Sequence, residues 1–475
     1  MSMLRRLVVV SNRLPVAIES TGKRGGRQLR PSVGGLVTAL APIMEENHGL
    51  WIGWPGWDQE PHSARLLQEF NRRHAYELRP VWLNSEEVDG YYRGFSNETL
   101  WPLFHDLLGY CKFETEHWQA YAQANHHFAQ VIAASLRADD FVWVHDYQLT
   151  LVAQHLRAMK VRHRLSFFLH IPFPSLDLFR RLPWKQSIIQ ALMEYDLVGF
   201  QTLRDRRNFI QCVKGLIPQV AIEVRRRYSL IHYGPRMVKV GHFPIGIDFE
   251  EFNRDAQASA VAENAQYFRR QFGSRTLILG VDRLDYTKGI PERFLAFERA
   301  LEKYPDLQGK VSLFQVVVPS RTHVPYYQDL KEILEGMVGR INGRFSRLGW
   351  IPIHYMYRML DRVKLLGCYR ACEIALVTPL RDGMNLVAKE YCTSTIDGNG
   401  VLILSEFAGA ADQLAKGALI VNPYDREEMA DAIYRAFTME LGERRERMRV
   451  LRAQIRRNDV HRWVQWFLES DRAVG

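Results

Sequence analysis

The chain has 475 residues, which is too long for one ordinary hydrophobic core and predicts two or three domains. Hydrophobic residues make up 47% of the chain and charged residues 24%, as is usual for soluble globular proteins. No apolar run approaches the ~20 residues of a membrane-spanning helix. The net charge of +10 favours anionic ligands, but no nucleic-acid-binding motif accompanies the basic residues. Phosphorylated small molecules are therefore the expected partners, rather than nucleic acid or a membrane.

The first apolar run, residues 7–10, is short. A secretory signal needs roughly 7–15 apolar residues after its basic start, so this run predicts a first β-strand and a cytoplasmic protein. The number of cysteines, five, is odd, and Cys368 and Cys372 have no Cys or His pair nearby that would complete a metal site. They are predicted to be core thiols, and neither a metal nor a cofactor is expected.

Short apolar runs alternate with longer helical patterns, which predicts an α/β fold with crossover helices. The predicted strands are residues 7–10, 141–144, 166–169, 196–200 and 237–247 in the first half, and 277–281, 313–318, 374–377 and 401–405 in the second. A turn-rich stretch near residue 248 separates the two sets. We therefore expect an N-terminal domain of residues 1–247 and a C-terminal domain of residues 248–475, whose last helices could pack back on the first domain.

Polar residues directly follow five of the predicted strands. They are Ser11-Asn12-Arg13, His145-Asp146-Tyr147, His170, Asp282-Arg283 and Pro319-Ser320-Arg321. Open parallel sheets bind ligands beyond the carboxyl ends of their strands. Five such positions on two sheets predict a ligand cleft between the domains, lined from both sides.

Two of these polar residues and several aromatic residues have structural alternatives. Asp146 could cap a helix N-terminus, and His170 could be a hydrogen-bonded core histidine. The aromatic residues Trp51, Trp54, Trp57, Tyr91, Tyr92 and Trp101 are of a kind more often found in cores than in sugar sites. However, the glycine-rich stretch WIGWPGW, residues 51–57, is typical of a loop, so we expect some of its indoles to be accessible.

The cations Arg283 and Lys288 also have two interpretations. They could form surface pairs with Asp282 and Asp285, which contribute little to stability. Two cations just past a buried strand also suit a leaving diphosphate, on which negative charge accumulates. We favour the second interpretation.

A glycine pair, Gly34 and Gly35, opens a predicted helix soon after the first strand. Glycine lets a phosphate approach the amides at a helix N-terminus. The pattern is not the G-x-G-x-x-G fingerprint, which argues against a nicotinamide dehydrogenase. Walker A, G-x-S-x-G and H-E-x-x-H sequences are also lacking.

A second helix start is predicted near Gly383, after the apolar run 374–377. Its free amides, those of Gly383, Met384, Asn385 and Leu386, would form an anion site for a diphosphate. Glu390 would lie on the same helix face as Gly383 and Leu386, where it could bind a ribose diol. Asp382 would lie near the sugar attached to that diphosphate.

Six segments together carry a resemblance to a known family. They are VVVSNRLP (8–15), YYRGFSNETLWP (91–102), WVHDYQL (143–149), FFLHIPFP (167–174), DRLDYTKG (282–289) and RDGMNLVAKEY (381–391). The chain resembles the trehalose-6-phosphate synthases, retaining glycosyltransferases with two Rossmann-like domains (the GT-B architecture). The resemblance implies transfer of glucose from a nucleoside-diphosphate glucose, UDP-glucose in the first place, to glucose 6-phosphate without a metal.

The resemblance also implies the site residues. The donor site would comprise Gly34, Gly35, Arg283, Lys288, Leu360, Asp382, Gly383, Met384, Asn385, Leu386, Val387 and Glu390. The acceptor site would comprise Arg13, Trp54, Tyr92, Trp101, Asp146 and Arg321. The catalytic residues would be Arg283, Lys288, Asp382 and His170, with His170 in contact with the transferred sugar.

The sequence leaves several points open. Members of this family often carry an aromatic residue near the nucleotide base where this chain has Met359 and Leu360, so guanosine remains an alternative to uridine. The acceptor could instead be glycerol phosphate or a cyclitol phosphate, or the chain could be a non-catalytic sugar-phosphate sensor. Homo-oligomerisation is also open. Since no D-x-D-x-T phosphatase motif appears, a separate trehalose-phosphate phosphatase is the expected pathway partner.

Overall fold

The computed structural model describes residues 6–20, 27–31, 35–57, 61–320 and 325–472. The chain divides into two compact units, Met1–Pro244 together with Trp463–Gly475, and Ile245–Arg462. The division falls after Pro244 rather than after residue 247, and the C-terminal residues belong to the first unit.

The described residues of the first unit form a nine-stranded sheet and a separate hairpin. The strands are β1 (Leu7–Arg13), β2 (Val16–Ser20), β3 (Arg27–Pro31), β4 (Leu50–Trp54), β5 (Glu77–Pro80), β6 (Phe141–His145), β7 (Leu165–Phe168), β8 (Leu197–Phe200), β9 (Ala221–Val224), β10 (Tyr228–Tyr233) and β11 (Arg236–His242). The sheet order is β5-β4-β1-β6-β7-β8-β11-β10-β9, and β2 pairs with β3. The parallel part from β5 to β8 has the strand order 3-2-1-4-5-6 of a Rossmann fold.

Helices connect these strands, and one of them is of an unusual type. The α-helices are α1 (Gly35–Glu46), α2 (Pro61–Arg73), α3 (Ser85–Glu87), α4 (Trp101–Phe104), α5 (Thr115–Ser135), α6 (Val152–Ala158), α7 (Leu176–Phe179), α8 (Lys185–Leu192) and α9 (Leu203–Leu216). Between α3 and α4 lies a π-helix, Val88–Leu100. π-Helical segments are rare in proteins as a whole, and those that occur are often found at functional sites.

The second unit is built on an all-parallel sheet. Its described strands are β12 (Thr276–Arg283), β13 (Val311–Val318), β14 (Ile353–Tyr357), β15 (Ile374–Val377), β16 (Val401–Ser405) and β17 (Leu419–Val421), in the order β14-β13-β12-β15-β16-β17. Its helices are α10 (Phe249–Gln257), α11 (Ser259–Phe272), α12 (Ile290–Lys303), α13 (Pro325–Phe345), α14 (Arg362–Ala371), α15 (Leu386–Ser394), α16 (Ala411–Leu414), α17 (Arg426–Phe437), α18 (Leu441–Arg457) and the start of α19 (Val460–Arg472). This sheet also has the Rossmann order, so the expected two Rossmann-like α/β units are confirmed.

Burial on both faces explains why the central strands were predictable. All residues of β6, β8, β15 and β16 are buried, as is usual in parallel sheets covered by helices. The end of α19 covers part of the first sheet, where Phe467 stacks on Trp143 with ring centroids 4.2 Å apart. Trp463 lies 5.1 Å from the same indole.

Two local expectations were wrong. The first part of WIGWPGW is not a loop, because Trp51 to Trp54 belong to β4, and both of these indoles are buried. The strand expected at 237–247 ends at His242, where the chain leaves the sheet. Among the residues that the structure describes, no helix combines the length and the apolar composition that a membrane span requires.

Candidate active site

The loop that follows β15 is held at the carboxyl edge of the second sheet by two neighbouring loops. Leu380 N–H donates to Thr287 O at 2.8 Å, which joins it to the loop after β12. Asp382 N–H donates to Phe407 O at 3.2 Å, and Gly409 N–H donates to Asp382 O at 3.1 Å, which joins it to the loop after β16. Strands β12 and β15 flank the point where the strand order reverses, the usual ligand position in open α/β sheets.

Three polar side chains meet at this loop, one of which, Lys288, comes from the loop after β12. Lys288 Nζ lies 2.6 Å from Asp382 Oδ2, and Asn385 Nδ2 donates to the same oxygen at 3.1 Å. The partner of Lys288 is therefore Asp382 rather than one of the neighbouring aspartates of the surface-pair alternative. Asn385 has φ 77° and ψ 90°, a strained conformation for a residue other than glycine. Strain of this kind costs on the order of 1–3 kcal/mol and clusters at binding and active sites.

The helix after this loop starts later than predicted. Its first residue is Leu386 rather than Gly383, and Asn385 is the N-cap, whose Oδ1 accepts from Ala388 N–H at 3.2 Å. The amide of Gly383 therefore belongs to the loop. The first-turn amides of Leu386 and Val387 have no acceptor within the helix, so they supply the positive partial charge that favours an anion. The donor-side candidates Gly383, Met384 and Asn385 lie in the loop, and Leu386, Val387 and Glu390 lie on α15.

A fully buried arginine connects the loop with the sheet. Arg293 of α12 donates to Asp282 Oδ2 at 2.5 Å and to Gln315 Oε1 at 2.9 Å. It also donates to Thr378 Oγ1 at 3.1 Å and to Lys288 O at 3.4 Å. Burial raises the pKa of Asp282, and the positive charge of Arg293 opposes this rise. Sequence patterns did not indicate Arg293, since arginines are mostly exposed.

Glu390 has a partner that the sequence did not reveal. Its Oε2 accepts from Tyr369 Oη of α14 at 2.9 Å, and Tyr369 is fully buried. Burial raises the pKa of Glu390, and the hydrogen bond from Tyr369 opposes this rise. Glu390 shares a helix face with Leu386, four residues earlier, but not with Gly383, which precedes the helix. Leu360 lies between β14 and α14, beside the exposed Met359.

Lys389, next to Glu390, is also fully buried. Its Nζ donates to Ile245 O at 2.6 Å and to Gln413 Oε1 at 2.7 Å. Burial lowers the pKa of Lys389 to about 7. A lysine in a helix is usually solvated, so its burial was not predicted.

In the first unit, a cavity of about 610 Å³ lies beside the carboxyl ends of β1 and β4. Arg13 and Trp54 line it, and the guanidinium of Arg13 lies 4.5 Å from the centroid of the Trp54 ring. Gly56 has φ 90°, and a Cβ there would lie 1.9 Å from Arg13 Nη2. A glycine is therefore required for this position of Arg13. The other lining residues are Ala17, Ile18, Trp57, Ser85, Val88, Asp89 and Arg93.

The π-helix carries the next aromatic candidates. The ring of Tyr92, half-buried, lies 5.9 Å from that of Trp54. Tyr91 Oη donates to Asn12 Oδ1 at 2.9 Å, which ties the π-helix to β1. Trp101 is buried directly after the π-helix, as the first residue of α4. Only Trp57 and Tyr92 of the six aromatic candidates are half-buried, while Trp51, Trp54, Tyr91 and Trp101 are buried.

Asp146 and His170 meet at the carboxyl ends of β6 and β7. Asp146 has φ 77°, and its Oδ1 accepts the backbone N–H of His170 at 3.1 Å. This bond, rather than the capping of a helix, is the described role of the Asp146 carboxylate. His170 Nε2 lies 3.1 Å from Nδ1 of the buried His145.

The remaining candidates can be placed only in part. Arg283 is the exposed last residue of β12, and Gly35 is the first residue of α1. Gly34 and Arg321 lie outside the described residues.

Comparison with known proteins identifies the family. The model of glycosyltransferase family 20 matches residues 5–471. The chain belongs to this family. Family 20 membership agrees with the two Rossmann-like units.

Curated relatives of this family 20 chain differ in length. It is 43% identical to the bifunctional trehalose-6-phosphate synthase/phosphatase of Thermoproteus tenax over 477 residues, covering 98% of the chain but 63% of that relative. It is 42% identical to the trehalose-6-phosphate synthase of Mycolicibacterium vanbaalenii over 468 residues, covering 98% of the chain and 95% of the relative.

Solved structures agree with this chain over nearly its full length. The α,α-trehalose-phosphate synthase (UDP-forming) of Burkholderia xenovorans, in complex with glucose-6-phosphate, is 38% identical, with a TM-score of 0.87 over 98% of this chain and 100% of the other. A second solved structure is described as trehalose-6-phosphate from E. coli bound with UDP-2-fluoro glucose. Its chain is 37% identical to this one, with a TM-score of 0.88 over 99% of both chains.

The first prediction concerns Arg293. Arg293→Met should lower the free energy of unfolding of the second unit by about 3–5 kcal/mol, because it leaves the Asp282 carboxyl buried without its counter-charge. Asp282→Leu combined with Arg293→Met should recover part of that loss. Calorimetric unfolding of the three proteins measures both effects. Wild-type stability of the single variant would contradict the central role of this ion pair.

The second prediction concerns pH and Lys389. The unfolded lysine holds its proton to about pH 10.4, whereas the folded group loses it near pH 7, so unfolding takes up a proton between these values. The cost of burying the charge is present in full below about pH 7, and stability gains up to about 1.4 kcal/mol per pH unit across the window. Lys389→Met should lack this gain, and the exposed-lysine control Lys416→Met should keep it. The midpoint of urea unfolding is measured at pH 6.5, 8 and 9 for the wild type and both variants. An equal increase of the midpoint with pH in all three proteins would contradict the proposed cost of burying the Lys389 charge.

Proposed function

We propose that the chain transfers glucose from UDP-glucose to glucose 6-phosphate, giving α,α-trehalose 6-phosphate with retention of configuration. The observation that carries the proposal is the Lys288–Asp382 pair at the switch point of the second sheet, directly before the start of α15. Cations and free amides suit a diphosphate, and a carboxylate suits sugar hydroxyls. The relatives bound with UDP-2-fluoro glucose and with glucose-6-phosphate support this choice of substrates.

On the donor side, the diphosphate would lie against the first-turn amides of α15 and the cations Arg283 and Lys288. Asp382 would bind the glucose that is transferred. Glu390, held by Tyr369, would accept hydrogen bonds from the ribose diol. The remaining proposed donor contacts are Gly34, Gly35, Leu360 and residues 383–387.

On the acceptor side, Arg13 would bind the phosphate of glucose 6-phosphate, because its guanidinium already lies over the Trp54 ring, in the space that Gly56 leaves open at the edge of the cavity. Arg321 would be the second phosphate ligand. Tyr92, Trp101 and Asp146 would bind acceptor hydroxyl groups, and His170 would contact the transferred sugar.

The proposed mechanism uses no carboxylate nucleophile. A retaining glycosidase needs one carboxylate at the anomeric carbon and a second carboxyl group about 5–5.5 Å away. Here Asp382 is engaged by Lys288 and Asn385, and Glu390 by Tyr369. We therefore propose that the acceptor hydroxyl attacks the anomeric carbon from the face that the diphosphate leaves.

In this step the bond from the anomeric carbon to the acceptor oxygen forms, and the bond to the diphosphate oxygen breaks. The bonding electrons stay with the diphosphate, and the hydroxyl proton passes to one of its oxygens. Arg283 and Lys288 would stabilise the charge that accumulates there, which is the main catalytic contribution of preorganised charges.

A turnover assay tests the proposal. UDP-, GDP- and ADP-glucose are each combined with glucose 6-phosphate, glycerol phosphate and a cyclitol phosphate. Product formation should be fastest with UDP-glucose and glucose 6-phosphate, and NMR should find both anomeric centres in the α configuration. Turnover with glycerol phosphate or a cyclitol phosphate but not with glucose 6-phosphate would favour the alternative acceptors. If none of the acceptors gave turnover, the non-catalytic sensor would replace the proposal. Because the product retains its phosphate, a phosphomonoesterase must act next if free trehalose is formed.

The third prediction concerns the donor-side cations. Arg283→Ala and Lys288→Ala should each lower kcat by about two orders of magnitude, the effect of removing one preorganised charge donor. Lys310→Ala, at an exposed position before β13, is the matched control and should keep wild-type kcat. Steady-state kinetics with both substrates saturating provide the measurement. A near-normal kcat in both site variants, or a covalent sugar on an Asp or Glu found by mass spectrometry, would overturn the mechanism.

The fourth prediction concerns Arg13. Arg13→Ala should raise the KM for glucose 6-phosphate about tenfold or more and leave the Kd of UDP almost unchanged, since a charge-assisted phosphate contact contributes roughly 1.5–3 kcal/mol. The exposed Arg72→Ala of α2 serves as control. Initial rates at varied acceptor concentration and calorimetry with UDP separate the two effects. An unchanged KM would remove Arg13 from the acceptor site.

A further inference from the structure

Two histidines of the first unit form a hydrogen-bonded pair that none of the proposed roles explains. His145 is the fully buried last residue of β6, and His170, half-buried, follows β7. His145 Nδ1 lies 3.1 Å from His170 Nε2, and the ring planes are inclined by 29°. One proton lies between the two nitrogens at this distance, so one ring donates and the other accepts.

The surroundings keep both rings neutral. Burial lowers the pKa of His170 to about 3 and lowers the pKa of His145 well below its ordinary range. Aromatic rings surround the pair. The ring centroid of Trp143 lies 4.6 Å from that of His145, and the ring centroid of Phe168 lies 4.8 Å from that of His170. The ring of Trp463, on α19, lies 6.1 Å from that of His170. Each imidazole therefore carries a single N–H, and its position decides what the ring can bind.

A buried amide indicates which nitrogen of His170 carries its proton. Gln201 Nε2 lies 3.5 Å from His170 Nδ1. With the amide in this orientation its nitrogen donates, so Nδ1 of His170 is the acceptor and Nε2 carries the proton. His170 Nε2–H then donates to His145 Nδ1. The N–H of His145 therefore lies on its Nε2, a buried atom to which the described residues give no hydrogen-bond partner.

The backbone of His170 is fixed from the same strand end. Asp146, which follows His145, accepts the His170 N–H at 3.1 Å and donates its own N–H to Phe168 O at 2.8 Å. Its strained φ of 77° is the conformation that lets it make both bonds. Asp146 thus fixes the main chain of His170. The neighbouring His145 is hydrogen-bonded to the imidazole ring of His170.

We propose that His145 is a positioning residue, which accepts the Nε2–H of His170 and presents the ring to the transferred sugar with Nδ1 as its hydrogen-bond acceptor. The role at the sugar rests on the proposed function, whereas the hydrogen bond itself does not. The contact from Gln201 is long, so a sugar hydroxyl at an ordinary distance of about 2.8 Å would be the better donor to Nδ1.

Two variants of His145 test the proposal. In His145→Asn the side-chain amide oxygen takes the place of Nδ1 and can still accept the Nε2–H of His170. In His145→Leu a side chain of similar volume lacks any hydrogen-bond acceptor. The ¹⁵N–¹H spectra of the imidazole groups, assigned with His170→Ala, should show the Nε2–H tautomer of His170 in the wild type and in His145→Asn. His145→Leu should lose this single tautomer.

Kinetics supply the second measurement. His145→Leu should lower kcat about tenfold, which corresponds to one hydrogen bond, with the KM for glucose 6-phosphate unchanged. His145→Asn should restore kcat to within a few-fold of the wild type. A purely structural role would impair the two variants equally.

Three results would overturn the proposal: an Nδ1–H tautomer in wild-type His170, an unchanged tautomer and kcat in His145→Leu, or equal losses in both variants. If His145→Leu fails to fold, the tautomer of His170 in the wild type and the kcat of His145→Asn still test the proposal. A wild-type protein without transfer activity would overturn the proposed function, and the spectra would then decide the hydrogen bond alone.

Discussion

The buried side chain of Arg293 is the interaction on which the second unit depends. It joins Asp282 on β12, Gln315 on β13 and Thr378 directly after β15. An arginine remains charged at any physiological pH, so it cannot escape the cost of burial by losing a proton, and its acceptors must stay in place. The loops after β12 and β15 are thereby fixed relative to one another. That fixed placement holds Lys288 and Asp382 together, as the proposed catalysis by preorganised charge would require.

The two units place strain at equivalent points. Asp146 follows β6 and Asn385 lies in the loop after β15, and each of these strands is the fourth in the Rossmann order of its sheet. Both residues have φ 77° although neither is glycine. In each case the side chain of the strained residue holds the adjacent site, through His170 N–H or through Asp382. The strain is compensated by these bonds and by the packed sheet beneath, which explains its persistence.

The sequence predicted what continuous apolar runs can indicate, and it missed what depends on tertiary contacts. Strands such as β15 were predictable because parallel strands are buried on both faces. The start of α15 was misplaced because Gly383 and Asn385 are both plausible helix boundaries, and only the hydrogen bond from Ala388 to Asn385 distinguishes them. The π-helix was missed because the periodicities normally sought in a sequence are those of α-helices and strands. Lys389 and Arg293 were missed because charged residues are usually solvated, so no pattern indicates their burial.

Lys389 illustrates how a site can be favoured at the expense of stability. Its described acceptors, the carbonyl of Ile245 and the amide of Gln413, are neutral, so its positive charge is not balanced by a carboxylate there. A buried cation of this kind lowers stability, and a leucine or methionine of similar volume would avoid that cost. However, Lys389 lies within one turn of Leu386, where α15 begins. While it holds its proton, below about pH 7, Lys389 adds to the positive potential of the helix start. In the proposed function, a bound diphosphate would offset this potential. In the proposed function, the same position that is unfavourable in the empty protein would contribute to the binding of a diphosphate, which would be a physical reason for a lysine in the interior at this point.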